Sequence, residues 1–113
     1  MFLFLYGSLR DRRTLARRAG APALPRHLRP ARLSGYARAP AEGGRFTTLV
    51  PHRAATVEGV LLSVGFDSLR RLVAYEGPDW RLTKVRPIGP RGRVLAHAFI
   101  APPRARRTIH ERG

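Results

Sequence analysis

Seven carboxylates and four histidines are the groups in this 113-residue chain that could move protons near neutrality, and cysteine is absent. Thiolate nucleophiles, disulfides and sulfur-ligated metals are thereby excluded together. His27, His52, His97 and His110 stand far apart in dissimilar contexts, with no pair at the spacing a zinc helix or finger needs. No metal is expected. Ser8, which follows an apolar run in Tyr6-Gly7-Ser8-Leu9, has Arg10 where a nucleophile elbow needs its second glycine. With Asp11 three residues on, Ser8 reads instead as a helix N-cap.

Local structure accounts for most of the acids. Asp67 suits a helix cap, Asp11 the first turn of a helix, Glu42 and Asp79 turns, and Glu111 a solvated tail. Glu58 lies within an apolar strand on the face of Val60, Leu62 and Val64. A strand-end carboxylate paired with one of many arginines is the favoured reading there.

Glu76 is placed against local preference. It occupies the last turn of a helix, immediately before Gly77-Pro78, where the macrodipole disfavours a carboxylate by roughly 0.3–1 kcal/mol and raises its proton affinity. Raised proton affinity is what a general acid/base requires. The plain alternative is a surface residue paired with Arg71 or Arg81, and spacing alone leaves both readings open.

These groups need elements to position them. Phe2–Tyr6 predicts a strand buried on both faces, ended by Gly7. A short amphipathic helix follows from Ser8 towards Gly20, then a loop to Pro30 containing Pro22 and Pro25. Ala31–Ala37 predicts a strand, with a turn through Pro40, Gly43 and Gly44. Phe46–Val50 predicts another, closed by Pro51, and Thr56–Val64 is the clearest strand of the chain. A second helix, capped by Asp67 or Ser68 and carrying Leu69, Leu72 and Val73, stops at Gly77-Pro78. Arg81–Pro87 and Val94–Ile100 are the last strands, joined through Gly89-Pro90-Arg91-Gly92. About six short strands and two helices without βα alternation predict an α+β domain on a mixed or antiparallel sheet curling into a small barrel. The expected domain spans residues 1–101, and 102–113 form a basic, partly flexible tail.

The formal net charge is +15 and all basic residues but Lys84 are arginine. Taken alone this points to nucleic acid or an anionic surface. The arginines are scattered through every element, however, so a nucleic-acid partner ranks low. The apolar opening is too short for a signal core and nothing approaches the length of a membrane span, which makes the cytoplasm the default location.

Two segments carry a family resemblance. Phe2-Leu3-Phe4-Leu5-Tyr6-Gly7-Ser8-Leu9-Arg10 resembles the strand and loop that open members of the gamma-glutamylcyclotransferase family. Leu69 to Trp80, ending Tyr75-Glu76-Gly77-Pro78-Asp79-Trp80, resembles its second signature, and Phe46–Pro51 and Val57–Leu61 fall between them in the family's order. The resemblance implies a small mixed β-barrel with flanking short helices and a cavity at its mouth. It implies Glu76 as the catalytic acid/base, Tyr6, Gly7, Ser8 and Leu9 as the substrate-binding loop, and Trp80 as a fifth substrate-binding position. The implied reaction releases 5-oxoproline and a free amine from a small gamma-glutamyl amine, amide or peptide, without metal or organic cofactor. The chain departs from the family at Trp80 and Phe99, where tyrosine is usual, and at Leu82, where arginine is frequent. Those changes bear on which leaving group fits. The alternatives are a non-catalytic member of the same fold that binds a small anion or a protein, and a basic nucleic-acid-binding module with Trp80, Tyr36 and Tyr75 as stacking residues.

Overall fold

In the computed structural model of the protein, residues 1–21, 27–41 and 46–101 are described. Part of the loop expected before Pro30, the turn at Gly43 and Gly44 and the expected tail 102–113 lie outside the described residues. The elements in chain order are β1 (Phe2–Leu5), α1 (Arg12–Ala19), β2 (Arg29–Ala41), β3 (Phe46–Ser63), α2 (Phe66–Glu76), β4 (Arg81–Val85), β5 (Ile88–Gly89), β6 (Gly92–Arg93) and β7 (Ala96–Ile100). The strands form one curled half-barrel sheet in the order β4-β7-β1-β3-β2-β5-β6. Only β1 and β7 run parallel; every other pairing is antiparallel. The expected mixed α+β architecture is therefore present, with seven strands in place of about six: the expected strands Phe46–Val50 and Thr56–Val64 are one, β3, and the Ile88–Arg93 hairpin adds two. Among the described residues no helix is long and apolar enough to cross a membrane.

β1 is buried on both faces because the pleat alternates two cores. Phe4 and Tyr6 join Ala31, Leu33, Leu49, Val57, Leu61, Val85, Ala96 and Ala98 on the concave face. Leu3 and Leu5 point the other way, to Leu9, Leu15, Ala19, Leu62, Val64, Leu72 and Phe99 beneath the helices. Each fully buried Leu or Phe contributes about 1.5–3 kcal/mol, so both faces are needed to hold β1 central.

Helix starts differ from expectation in an instructive way. The residues Ser8–Arg10 form a 3-10 turn closed by the Arg10 N–H on the Gly7 carbonyl (3.0 Å), and Asp11 rather than Ser8 caps α1. A carboxylate is the stronger acceptor, and Asp11 takes both the Thr14 N–H (3.0 Å) and the Thr14 hydroxyl (2.8 Å). The hydroxyl of Thr14, and after it the amide, lower the Asp11 proton affinity. α2 begins one residue before the expected cap: Gly65 is its N-cap without a side-chain bond, and Asp67 lies in the first turn, where the macrodipole favours an acid. The two helices are clipped together by the Arg18 guanidinium 4.7 Å from the Tyr75 ring centroid.

Pro51 does not end a strand. β3 runs continuously through it, paired with Tyr36 of β2, because this stretch of β3 has β2 as its only described strand neighbour and a proline lacking its N–H is tolerated on such an edge. The expected break survives as a register shift. Between the pairs Ser34↔Thr56 and Tyr36↔Pro51, the four residues His52–Ala55 oppose the single Gly35.

Among the described glycines, Gly59 has the least room for a side chain. A Cβ there would stand 2.6 Å from the Leu5 carbonyl oxygen and 2.7 Å from the Phe4 ring. Gly59→Ala is accordingly expected to cost about 1–3 kcal/mol by forced displacement of β1, read as a lower denaturant midpoint at unchanged slope.

Candidate functional site

At the C-terminal end of β1 the curl of the sheet leaves a cavity of about 460 Å³. Its lining includes Tyr6, Gly7 and Leu9 from the bend after β1, Glu76 from the end of α2, Trp80 before β4 and Phe99 on β7. Four of the five positions implied by the resemblance to bind substrate, and the implied acid, thus surround one hollow. Ser8 belongs to the same bend through its backbone.

The helix pattern explains why Glu76 turns inward. Leu69, Leu72 and Glu76 follow the i, i+3, i+7 spacing of a single stripe, of which Leu72 is completely buried. The exposed member of the expected apolar set is Val73, 42% accessible, which falls at the margin of that stripe, on the side of Leu69 away from Leu72. Gly77 then ends the helix with φ +90°, a conformation that L side chains rarely adopt, and its N–H returns to the Val73 carbonyl at 3.0 Å. Arg71, proposed from sequence as a surface partner for Glu76, packs against Gly20 of the first helix terminus.

Tyr6 is locked in place. Its hydroxyl donates to the Phe99 carbonyl, and Thr48, itself fully buried, hydrogen-bonds the phenol oxygen while accepting the Ala101 N–H at 2.8 Å. Burial pushes the phenol well above the usual tyrosine range; the Thr48 bond and the Arg38 charge act against this, and the Glu76 charge adds to it. The relay joins β1, β3 and β7 directly beside the cavity. Tyr6→Phe leaves the Phe99 carbonyl without its donor and the Thr48 hydroxyl without its acceptor, and is expected to cost about 1–3 kcal/mol at neutral pH. Because the folded-state proton affinity exceeds that of an unfolded tyrosine near pH 10, the stability due to the hydroxyl is full below about pH 10 and is lost as pH rises beyond it. Denaturation midpoints measured from pH 8 to 11 should show the gap between wild type and Tyr6→Phe closing at the alkaline end.

The aromatic wall is completed by Phe46 at the start of β3, whose ring meets Trp80 edge-on at a centroid distance of 6.4 Å. Such a pair contributes about 0.5–1.5 kcal/mol beyond its buried area. The two remaining departures from the family pattern face each other across β4 and β7, in the register Leu82↔Phe99. Phe99 lines the cavity, whereas Leu82 packs into the core beneath the helices. Of the aromatic residues considered for stacking, Tyr75 lies under Arg18 and Tyr36 packs against the concave core.

Phe46, Thr47 and two basic residues line the cavity without having been given a site role from sequence. Arg38 of β2 reaches over the bend, and its guanidinium Nη2 donates to the Tyr6 carbonyl (3.2 Å) and the Glu58 carbonyl (2.7 Å). Arg10, the last residue of the 3-10 turn, lines the same hollow. Nothing distinguished these two among 22 basic residues, because their role depends on which strands the fold brings together. Among the described residues Glu76 is the only acid in the lining, and no cluster of three His, Asp or Glu side chains capable of holding a metal occurs.

The chain resembles several solved structures. An Arabidopsis thaliana protein known from its solution structure shares 23% identity with a TM-score of 0.71, covering 88% of this chain and 67% of its own. A gamma-glutamyl cyclotransferase shares 14% identity at TM-score 0.75, over 90% of this chain and 66% of that one. YkqA from Bacillus subtilis shares 20% identity at TM-score 0.77, over 98% of this chain and 47% of that one. The chain therefore spans between about half and two thirds of these proteins, and at such identities the likeness is one of fold. No curated protein matches significantly. The sequence model described as "Gamma-glutamyl cyclotransferase, AIG2-like" matches residues 3–113. With that match running from β1 through the helix that carries Glu76 to the last residue, the chain belongs to the AIG2-like gamma-glutamyl cyclotransferase family.

Proposed function

We propose that the protein is a cyclotransferase that acts on a small gamma-glutamyl amine, amide or peptide, releasing 5-oxoproline and the free amine, with Glu76 as its general acid/base. The observation that carries this reading is the position of Glu76 on one wall of the hollow and the Tyr6–Leu9 bend on another. The hollow is of the size typical for a small-molecule site.

In this reading the α-carboxylate of the glutamyl group rests on backbone N–H groups of Gly7, Ser8 and Leu9. Entry into the 3-10 turn leaves its first N–H groups without partners inside the turn. The α-nitrogen lies at Glu76, which takes its proton as the nitrogen attacks the γ-carbonyl carbon. A new C–N bond closes the five-membered ring, and the original amide C–N bond breaks as Glu76 returns the proton to the departing nitrogen. Over the full reaction two protons leave the α-ammonium and two arrive on the amine, so the carboxylate ends as it began. Nucleophile and electrophile belong to one molecule, so the protein mainly holds a folded conformer and stabilises charge. Tyr6, held rigid by Phe99 and Thr48, Trp80 and Phe46 supply the walls that hold that conformer.

The test is incubation with a panel of gamma-glutamyl compounds, following 5-oxoproline and the free amine in equal amounts. Silence of the wild type across the panel, with the fold intact, would favour a non-catalytic anion-binding member of the family instead.

A further inference from the structure

The mechanism uses Glu76 and the backbone of the bend but gives no partner to Arg10 and Arg38, and the chemistry of those two groups narrows the substrate. Resting on the cyclotransferase reading, we infer that Arg10 and Arg38 form a second anion subsite that selects substrates whose leaving amine carries a carboxylate, a γ-glutamyl amino acid or peptide rather than a γ-glutamylamine.

Charge counting within the hollow leads there. A γ-glutamyl group brings one positive nitrogen and one negative carboxylate; Glu76 answers the first, and the amides of the bend answer the second. Two guanidinium charges are left over, and no acid other than Glu76 lines the cavity among the described residues. Arg38 cannot swing away freely, because its Nη2 is tied to two carbonyl oxygens, that of Tyr6 just after β1 and that of Glu58 in β3. That anchoring uses one nitrogen of the fork and leaves the rest of its donor set for a ligand. Partial burial and the nearby Arg10 charge both lower the Arg38 proton affinity, so the pair repel each other. A guanidinium remains charged nonetheless. A carboxylate between them relieves the repulsion and accepts a forked pair of hydrogen bonds. The Glu58 charge acts on Arg38 in the opposite sense to Arg10 but ranks behind it; in the β2–β3 ladder Glu58 is paired with Arg32, and the hydrogen bond from Arg38 is accepted by its backbone carbonyl.

A matched pair of substrates tests this: γ-glutamyl-L-alanine and γ-glutamyl-ethylamine, which differ by the leaving group's carboxylate alone. The expected kcat/KM ratio in wild type favours the alanine compound at least tenfold. In Arg38→Met and separately in Arg10→Met that ratio should fall towards one, whatever each variant does to the rate itself. A wild-type ratio near one, or a ratio unchanged in both variants, overturns the inference. Loss that is equal for both substrates has the same meaning, since it would place the arginines on the glutamyl carboxylate or in the fold. Dissociation constants of both compounds for Glu76→Gln keep the subsite separate from catalysis. Selective binding of the alanine compound upholds the subsite even if wild type proves silent, which would sink only the cyclotransferase reading; equal affinities overturn it.

Discussion

Glu76→Gln should abolish measurable 5-oxoproline formation while leaving the far-ultraviolet circular dichroism and the denaturant midpoint close to those of wild type. Glutamine keeps the shape and the hydrogen-bonding oxygen but can neither accept the α-amine proton nor return one to the leaving nitrogen. General acid–base catalysis contributes about a hundred- to ten-thousand-fold, and here one group serves both half-steps, so the upper part of that range is expected in kcat. At the helix terminus itself, where the macrodipole disfavours a carboxylate by about 0.3–1 kcal/mol, the substitution removes an unfavourable charge while keeping the side-chain volume. A variant retaining more than about a tenth of wild-type turnover would move the proton-transfer role to another group and remove the central element of the proposed mechanism.

Phe4→Ala is the substitution from which the largest loss of stability is expected. Phe4 is fully buried, sits on the concave face and stacks on Tyr6 at a ring-centroid distance of 6.4 Å with an interplanar angle of 26°. Its ring rests on the open side of Gly59, the one place in β3 where no Cβ intervenes. Truncation leaves a void that neither a glycine nor the rigidly bonded Tyr6 can fill, so the full cost of about 3–5 kcal/mol applies. For a domain of this size each kcal/mol shifts the melting temperature by about 4–8 °C, and a drop of at least 12 °C is expected. Because Phe4 and Tyr6 also line the cavity, the surviving folded fraction should bind substrate more weakly. Calorimetry of the unfolding transition checks the first statement, and KM at a temperature well below it the second.

How much of this was legible before the fold was known depended on whether a feature is local. The buried opening strand, the stop at Gly77-Pro78 and the apolar Thr56–Val64 stretch are each written within a few neighbouring residues, and each is present. The anomalous placement of Glu76 was also visible locally, and its spacing from Leu69 and Leu72 held a further signal that it faces inward. Cap positions were less legible, because Ser8 and Asp11 both qualify chemically and only the 3-10 turn before Arg12 decides between them. Continuity of β3 through Pro51 depends on β2 being its sole strand neighbour there among the described residues, and Arg38 enters the site only because β2 crosses near the end of β1. Neither relation leaves a trace in the spacing of residues along the chain. The Ile88–Arg93 hairpin was read as a turn, since two-residue strands are too short to show alternation.

The place of β1 in the sheet has a consequence for how the molecule assembles. Its partners are residues 60–63 on one side and His97 on the other, so four residues from the start of the chain must find slots set by segments nearly 60 and 94 positions away. The β2–β3 ribbon and the β4–β7 pair can zip from contacts closer in sequence, whereas the central slot between them exists only once both are formed. Long-range closure of this kind slows folding towards the millisecond-to-second range. The strand that leads into the Tyr6–Leu9 bend is therefore expected to dock last, with the β2–β3 and β4–β7 pairings forming before the hollow beside Glu76 is closed.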